Sequence, residues 1–217
     1  MIPVTPASPS APPTEQIVAG LVRDGYAALP GFLLPALVRA LRREALLRDR
    51  RGEFTPAAVG GPGERQHDDS IRTDRTCWLT GEAGPQRRLL AVLETLRQEI
   101  NSALFLGLFD LEAHFALYPP GGFYRRHRDA FRNDDARVVS VVLYLNTGWT
   151  PEDGGTLRLW PSPEARLQAL DIAPRAGTLV CFLSERIPHE VLPAHSDRLS
   201  IAVWFRRHLP GRPLANL

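Results

Sequence analysis

The sequence predicts an α+β chain that is mainly β, with three helices followed by eight short strands in a sandwich or jelly roll. Three observations lead there. Up to about residue 103, apolar residues recur at helical spacing. Beyond residue 110 the pattern changes to short runs of alternating apolar and polar residues. Gly, Pro, Asn and Asp turn signals separate those runs at close intervals, as in antiparallel β folds rather than βαβ units.

Residues 1–14 are rich in Pro, Ala and Ser and read as a disordered tail. Thr14 is placed to cap a helix over 15–24, whose apolar stripe is Ile17, Val18, Leu21 and Val22. Gly25 ends it, and 26–29 reads as a strand. A second helix over 34–49 has Leu37, Leu41, Ala45 and Leu46 spaced for one buried face. Residues 52–84 read as a loop, with Gly60, Gly61, Pro62 and Gly63 as breakers. Loops of that length in compact domains are often functional lids. A third helix over 85–103 presents Leu89, Leu90, Val92, Leu93, Leu96 and Ile100 to a sheet. Strands are expected at 111–118, 123–129, 137–145, 155–160, 167–172, 177–183, 188–192 and 198–206. Segments 15–110 and 111–207 should form one domain, with 208–217 a C-terminal tail.

The chemistry concentrates in the stretch 118–129, which ends in His127-Arg128-Asp129 and is closed by the turn signal Asn133-Asp134-Asp135. Side chains two apart in a strand share a face, so His127 and Asp129 project together and supply two metal ligands. His189, 62 residues on, opens another apolar run and supplies a third. Two His and one carboxylate form the facial triad of non-haem Fe(II) oxygenases, which leaves the opposite metal positions open. Nine residues later comes Arg198, at the head of a strand. Alternation places it on one face with Ser200, Ala202 and Trp204, while Leu199, Ile201, Val203 and Phe205 occupy the other. A guanidinium facing the interior needs a partner, and the far carboxylate of a dicarboxylic acid would supply it. Tyr144 shares a face with Val142 and Ser140. Among the other histidines, His195 is the rival distal ligand; His67 and His208 lie in polar or terminal surroundings, and His114 lacks a partner at ligand spacing.

Together with 71–78, 137–146, 188–191 and 198–205, these residues resemble the 2-oxoglutarate- and Fe(II)-dependent dioxygenases. Within that family the chain is similar to the prolyl hydroxylases that modify hypoxia-inducible factor and to their bacterial relatives, over about 15–207. The resemblance implies a double-stranded β-helix (jelly roll) core with N-terminal helices packed on one sheet. It implies Fe(II) on His127, Asp129 and His189. It also implies 2-oxoglutarate held at its C5 carboxylate by Arg198 and Tyr144, with Tyr118 lining the same pocket. O2 would be the oxidant, with ascorbate an accessory candidate. A retained Asp129 points to hydroxylation, since family members that halogenate lack that carboxylate. Arg72, Asp74, Arg137 and Trp204 match residues near the substrate opening, and 71–78 matches a segment folded over the substrate; an Asp74–Arg137 pair would hold that lid. The implied reaction couples decarboxylation of 2-oxoglutarate to succinate with hydroxylation of a prolyl residue in a protein, elongation factor Tu being one candidate. Two other readings are a hydroxylase of a free amino acid or nucleic acid, and a catalytically silent jelly-roll binding module.

Composition narrows the field. A net charge of +2, with no basic run interleaved with aromatics, disfavours nucleic acid. All 26 basic residues are Arg, which removes Schiff-base and P-loop lysine mechanisms. Cys77 and Cys181 lie far apart in apolar surroundings and read as free buried thiols, as expected in a reducing cytoplasm. The N-terminus lacks the pattern of a secretory signal, and no apolar run has the length of a membrane span. Oligomeric state leaves no mark in the sequence.

Overall fold

A computed structural model describes residues 13–60, 66–130, 136–161 and 168–208. Most of the two expected tails, the breakers Gly61 to Gly63 and the Asn133-Asp134-Asp135 turn lie outside the described residues. The helices are α1 (Pro13–Asp24), α2 (Pro35–Arg50) and α3 (Gly84–Leu104). The strands are β1 (Tyr26–Leu29), β2 (Thr55–Pro56), β3 (Arg75–Trp78), β4 (Leu108–Tyr118), β5 (Tyr124–His127), β6 (Arg137–Tyr144), β7 (Leu157–Leu159), β8 (Leu170–Ile172), β9 (Leu179–Leu183), β10 (His189–Val191) and β11 (Arg198–Arg207). They form a seven-stranded sheet ordered β1-β9-β6-β11-β4-β3-β2 and a four-stranded sheet ordered β5-β10-β7-β8. Every ladder between these strands is antiparallel, and the two sheets make the double-stranded β-helix.

Strand alternation divides the large sheet between two cores. On β11, Leu199, Ile201, Val203 and Phe205 join Leu111, Ala113, Phe115 and Leu117 of β4 and Val139, Val141 and Leu143 of β6 against the helices. The helices contribute Ile17, Leu21, Leu41, Leu89, Leu93, Leu96 and Ile100 to the same cluster. On the opposite face, Tyr118 and Tyr144 pack with Leu157, Leu159, Phe182, Ile187 and Val191 between the sheets. On the helix side the strand residues are apolar, and the inter-sheet side opens into a cavity, so each long strand carries hydrophobes outward and chemistry inward.

Some boundaries differ from the sequence expectation. The stretch 52–84 is not all loop, because β3 adds to the edge of β4 with Thr76 opposite Ala116 and Trp78 opposite His114, and β2 adds to β3. Four residues carry little periodicity, so β3 exists through that pairing. Thr14 lies inside α1, which starts at Pro13, and its hydroxyl donates to Glu99 on α3 instead of capping. β5 stops at His127, two residues early, leaving Asp129 on the bend that follows.

One buried polar group ties the helical layer together. Gln86 has no exposure; its Oε1 accepts from the backbone N–H groups of Thr80 and Gly81, and its Nε2 donates to Glu44 on α2. Truncating Leu93, fully buried in the helix–sheet core, to Ala should lower unfolding free energy by about 2–5 kcal/mol. Val92→Ala, at a partly exposed neighbour on the same helix, should change it by less than about 0.5 kcal/mol. Denaturant titration of both variants checks the contrast.

Candidate functional site

The inter-sheet cavity holds about 290 Å³ and is lined by the inward faces of β4, β5, β6, β10 and β11. His127 ends β5 and His189 begins β10, and the antiparallel register places their Cα atoms opposite each other. Asp129 follows on the bend, with its Oδ1 3.4 Å from His127 Nε2 and 3.6 Å from His189 Nε2. The three donor atoms lie within 4.8 Å of one another, and this is the cluster of metal-ligand spacing found among the described residues.

Both histidines have a defined orientation. His127 Nδ1 sits 2.8 Å from the Arg125 carbonyl, and His189 Nδ1 sits 3.2 Å from that of Ile187. A carbonyl only accepts, so each Nδ1 carries the proton and each Nε2 presents a lone pair toward Asp129. Burial is the largest influence on His189 and, with the neighbouring His127 imidazole, lowers its pKa to about 4, so it is neutral at pH 7. Burial alone would raise Asp129, but His189, His127 and Arg137 together hold its carboxyl well below the usual range. Two imidazole nitrogens and one anionic oxygen suit Fe(II). Aromatic neighbours fix the rings: Tyr124 stacks on His127 at 3.5 Å between centroids, and Phe182 packs against His189 at 4.6 Å.

Deeper in the cavity, Arg198 is 1% exposed. Its Nε donates to the Gly155 carbonyl at 2.7 Å and its Nη1 to Ser200 Oγ at 3.2 Å. The guanidinium lies 4.9 Å from the Tyr118 ring and 5.2 Å from that of Tyr144. No carboxylate among the described residues pairs with it. Tyr144 Oη is buried beside it with no fully formed hydrogen bond among the described residues, and burial, opposed by the Arg198 guanidinium, pushes this hydroxyl up to about 12, so it stays protonated. A buried cation without an anion, next to an unused hydroxyl donor, fits the distal carboxylate of 2-oxoglutarate. Gly155, at φ 61°, is required by this packing: a Cβ there would stand 2.8 Å from Arg198 Cδ.

At the opening, Arg137 lies 3.7 Å above the Trp204 ring, and Trp204 and Trp78 flank His114. The pair expected between Asp74 and Arg137 is not formed. Asp74 is buried and accepts from Arg72 Nε and Nη2 at 2.8 and 2.6 Å, while Arg137 donates to Glu112 at 2.7 Å. Arg72 is two residues from Asp74 on an extended segment, so it reaches the same face with no rearrangement. Its guanidinium also covers Tyr124 at 4.2 Å, linking residues 72–74 to the His127 ring. Backbone bonds from Thr73 N to the Phe123 carbonyl and from Arg125 N to that of Ile71 lay this segment along β5.

His127, Asp129, His189, Arg198, Tyr118, Arg72, Arg137 and Trp204 all line the one cavity, whereas Tyr144 is fully buried beside Arg198 and Asp74 is buried behind Arg72. His195, the rival ligand, is exposed on a loop, with Nδ1 against the Glu152 carbonyl. Sequence reasoning missed the parts played by Tyr124, Glu112, Gly155, His114 and Ser140. Ser140 had a usable signal, a lone hydroxyl in the apolar run Val138 to Val142.

Residues 113–206 match the 2OG-Fe(II) oxygenase superfamily. The chain is 31% identical over 206 residues to a hypoxia-inducible factor prolyl hydroxylase of Caenorhabditis elegans and 32% identical over 201 residues to human Egl nine homolog 1. Each alignment covers 88% of this chain but only 28% and 46% of those relatives, so the chain spans less than half their length. Among solved structures, a Pseudomonas putida prolyl-4-hydroxylase superposes with a TM-score of 0.82 at 48% identity, covering 90% of this chain and 100% of that one. A Trichoplax adhaerens prolyl hydroxylase, in complex with a peptide fragment of the hypoxia-inducible factor oxygen degradation domain, gives 0.80 at 27% identity, covering 89% and 88%. With the superposition on the Pseudomonas putida enzyme covering 90% of this chain, and the donor cluster and buried arginine inside residues 113–206, the chain belongs to the 2OG-Fe(II) oxygenase superfamily.

Proposed function

We propose that the protein is an Fe(II)- and 2-oxoglutarate-dependent hydroxylase of a prolyl residue in a protein substrate. The observation that carries this reading is the meeting, in one cavity, of the His127–Asp129–His189 cluster with a buried arginine that pairs with no acid among the described residues. Relatives named as prolyl hydroxylases narrow the reaction class. Bound iron and 2-oxoglutarate supply an oxidative decarboxylation to succinate and CO2 that drives hydroxylation.

The chain's own residues do the rest. His127 and His189, each held in the Nδ1–H tautomer, and the anionic Asp129 hold the metal. Arg198, Tyr144 and Ser200 orient the co-substrate from its far end, and Tyr118 walls the pocket. Arg137, held by Glu112 on the face of Trp204, frames the substrate entrance with Trp78. Residues 72–74 lie along β5 and place Arg72 over the Tyr124 ring. Elongation factor Tu is the first protein substrate to test. The two cysteines, both free and buried, suit a reducing cytoplasm.

Succinate release on incubation with Fe(II), 2-oxoglutarate and a proline-containing peptide, read beside peptide mass, tests the function. Peptide-stimulated turnover with an added oxygen supports it. Stimulation by a free amino acid or nucleic acid replaces the substrate assignment, and absence of any turnover favours a binding module. His127→Ala should lower turnover at least about 100-fold, because loss of a ligand exceeds the effect of losing a ligand's outer partner. Replacing Arg198 by Met should raise the KM for 2-oxoglutarate roughly 10- to 150-fold, the worth of a charged hydrogen-bonded contact, with the peptide KM changing less. Arg137→Ala should reverse that order, raising the peptide KM well above any change for 2-oxoglutarate; equal effects would remove Arg137 from the entrance.

A further inference from the structure

Asp129 has two oxygens, and only one faces the histidines. The other, Oδ2, accepts a hydrogen bond of 2.6 Å from Ser140 Oγ on β6. Ser140 Oγ in turn lies 2.8 Å from Ser184 Oγ, just beyond β9. Ser140 is 1% exposed and Ser184 not exposed at all. Proton bookkeeping sets the direction. An ionised carboxylate only accepts, and Ser140 has a single hydroxyl proton, which goes to Asp129. Ser184 must therefore be the donor to Ser140, giving a one-way relay Ser184 → Ser140 → Asp129 in which each bond polarises the next.

A packing role does not account for this pair. Ser140 sits in the run Val138-Val139-Ser140-Val141-Val142, opposite Phe182 on one neighbouring strand and Trp204 on the other. Val or Ala would fill that position with no buried hydroxyl to satisfy. The hydroxyl reaches across to a different element, to the one oxygen of Asp129 turned away from both imidazoles.

We propose that Ser140, aimed by Ser184, is a positioning residue that keeps Asp129 a one-oxygen metal ligand and so preserves an open position on the metal. The proposal rests on the reading of His127, Asp129 and His189 as ligands. Two histidines and one carboxylate are useful to an oxygenase because they leave positions open. A carboxylate freed to rotate can also bind through both oxygens, as carboxylates do elsewhere, and that second oxygen would occupy a position needed by co-substrate or O2.

Two measurements that do not use turnover test this. In the first, metal-free full-length protein is titrated with Mn(II) alone. Ser140→Ala should weaken binding about 10- to 100-fold, the usual effect of removing a ligand's hydrogen-bond partner. Ser184→Ala should weaken it less, and Ser140→Thr, which keeps the hydroxyl, should bind close to wild type. In the second, nitric oxide is titrated under anaerobic conditions into protein loaded with Fe(II) and 2-oxoglutarate. The EPR signal of its adduct should need more nitric oxide in Ser140→Ala and recover in Ser140→Thr. A folded Ser140→Ala protein matching wild type in both measurements overturns the relay. If Ser140→Ala does not fold, Ser184→Ala decides by the same criteria. Asp129→Ala separates the two levels: if it binds Mn(II) as tightly as wild type, the ligand assignment fails; if it loses binding while Ser140→Ala matches wild type in both measurements, only the relay fails.

Discussion

The site depends on the register of one short antiparallel pair. β5 and β10 place His127 directly opposite His189, so both imidazoles emerge on the same side of the small sheet. A slip of one residue would turn one of them to the outer face, since successive side chains alternate. The register is held from both flanks. β7 pairs with β10 through Leu159 opposite His189 and Leu157 opposite Val191, and both leucines are buried between the sheets. On the other side, residues 71–73 lie along β5 through backbone hydrogen bonds. Asp129 then needs only the bend after β5 to bring its carboxylate between the two rings.

Charge around the cavity is managed in two ways. Arg72, Arg137 and Arg206 each meet an acid, in Asp74, Glu112 and Asp110 respectively. These pairs shape the rim and cover the strands. Arg198 is handled differently, being the most deeply buried of the four and offered, among the described residues, a carbonyl, a hydroxyl and two tyrosine faces. Neutral acceptors soften the desolvation of a guanidinium without neutralising it, and a buried charge left so costs several kcal/mol. The large apolar core behind β11 offsets that cost. The arrangement is thus preorganised for an anion.

Much of the site was legible along the chain because strand alternation is a local rule. The inward face of β11, with Arg198, Ser200, Ala202 and Trp204, could be written down from spacing alone, and these side chains do line the cavity. The H-x-D spacing likewise placed His127 and Asp129 on one side even though β5 ends before Asp129. The interactions among charged residues were less legible. Sequence reasoning paired Asp74 with Arg137, but Arg72 is nearer along the chain and Glu112 faces Arg137 from β4, a neighbour only through sheet order. β3 went unseen for the same reason, as four residues with weak periodicity become a strand only when β4 supplies an edge.

By itself, then, the amino-acid order determined the succession of helices and strands, the inward and outward sets on each long strand, and the residue types available for metal and anion. Those follow from periodicities of two and 3.6 residues, which act over short distances. Tertiary structure alone decided that His189 would stand across from His127, that Arg198 would meet no acid among the described residues, and that Ser184 and Ser140 would meet behind Asp129. Each of these joins residues on different strands, and their proximity is set by sheet order and register, which no local pattern encodes.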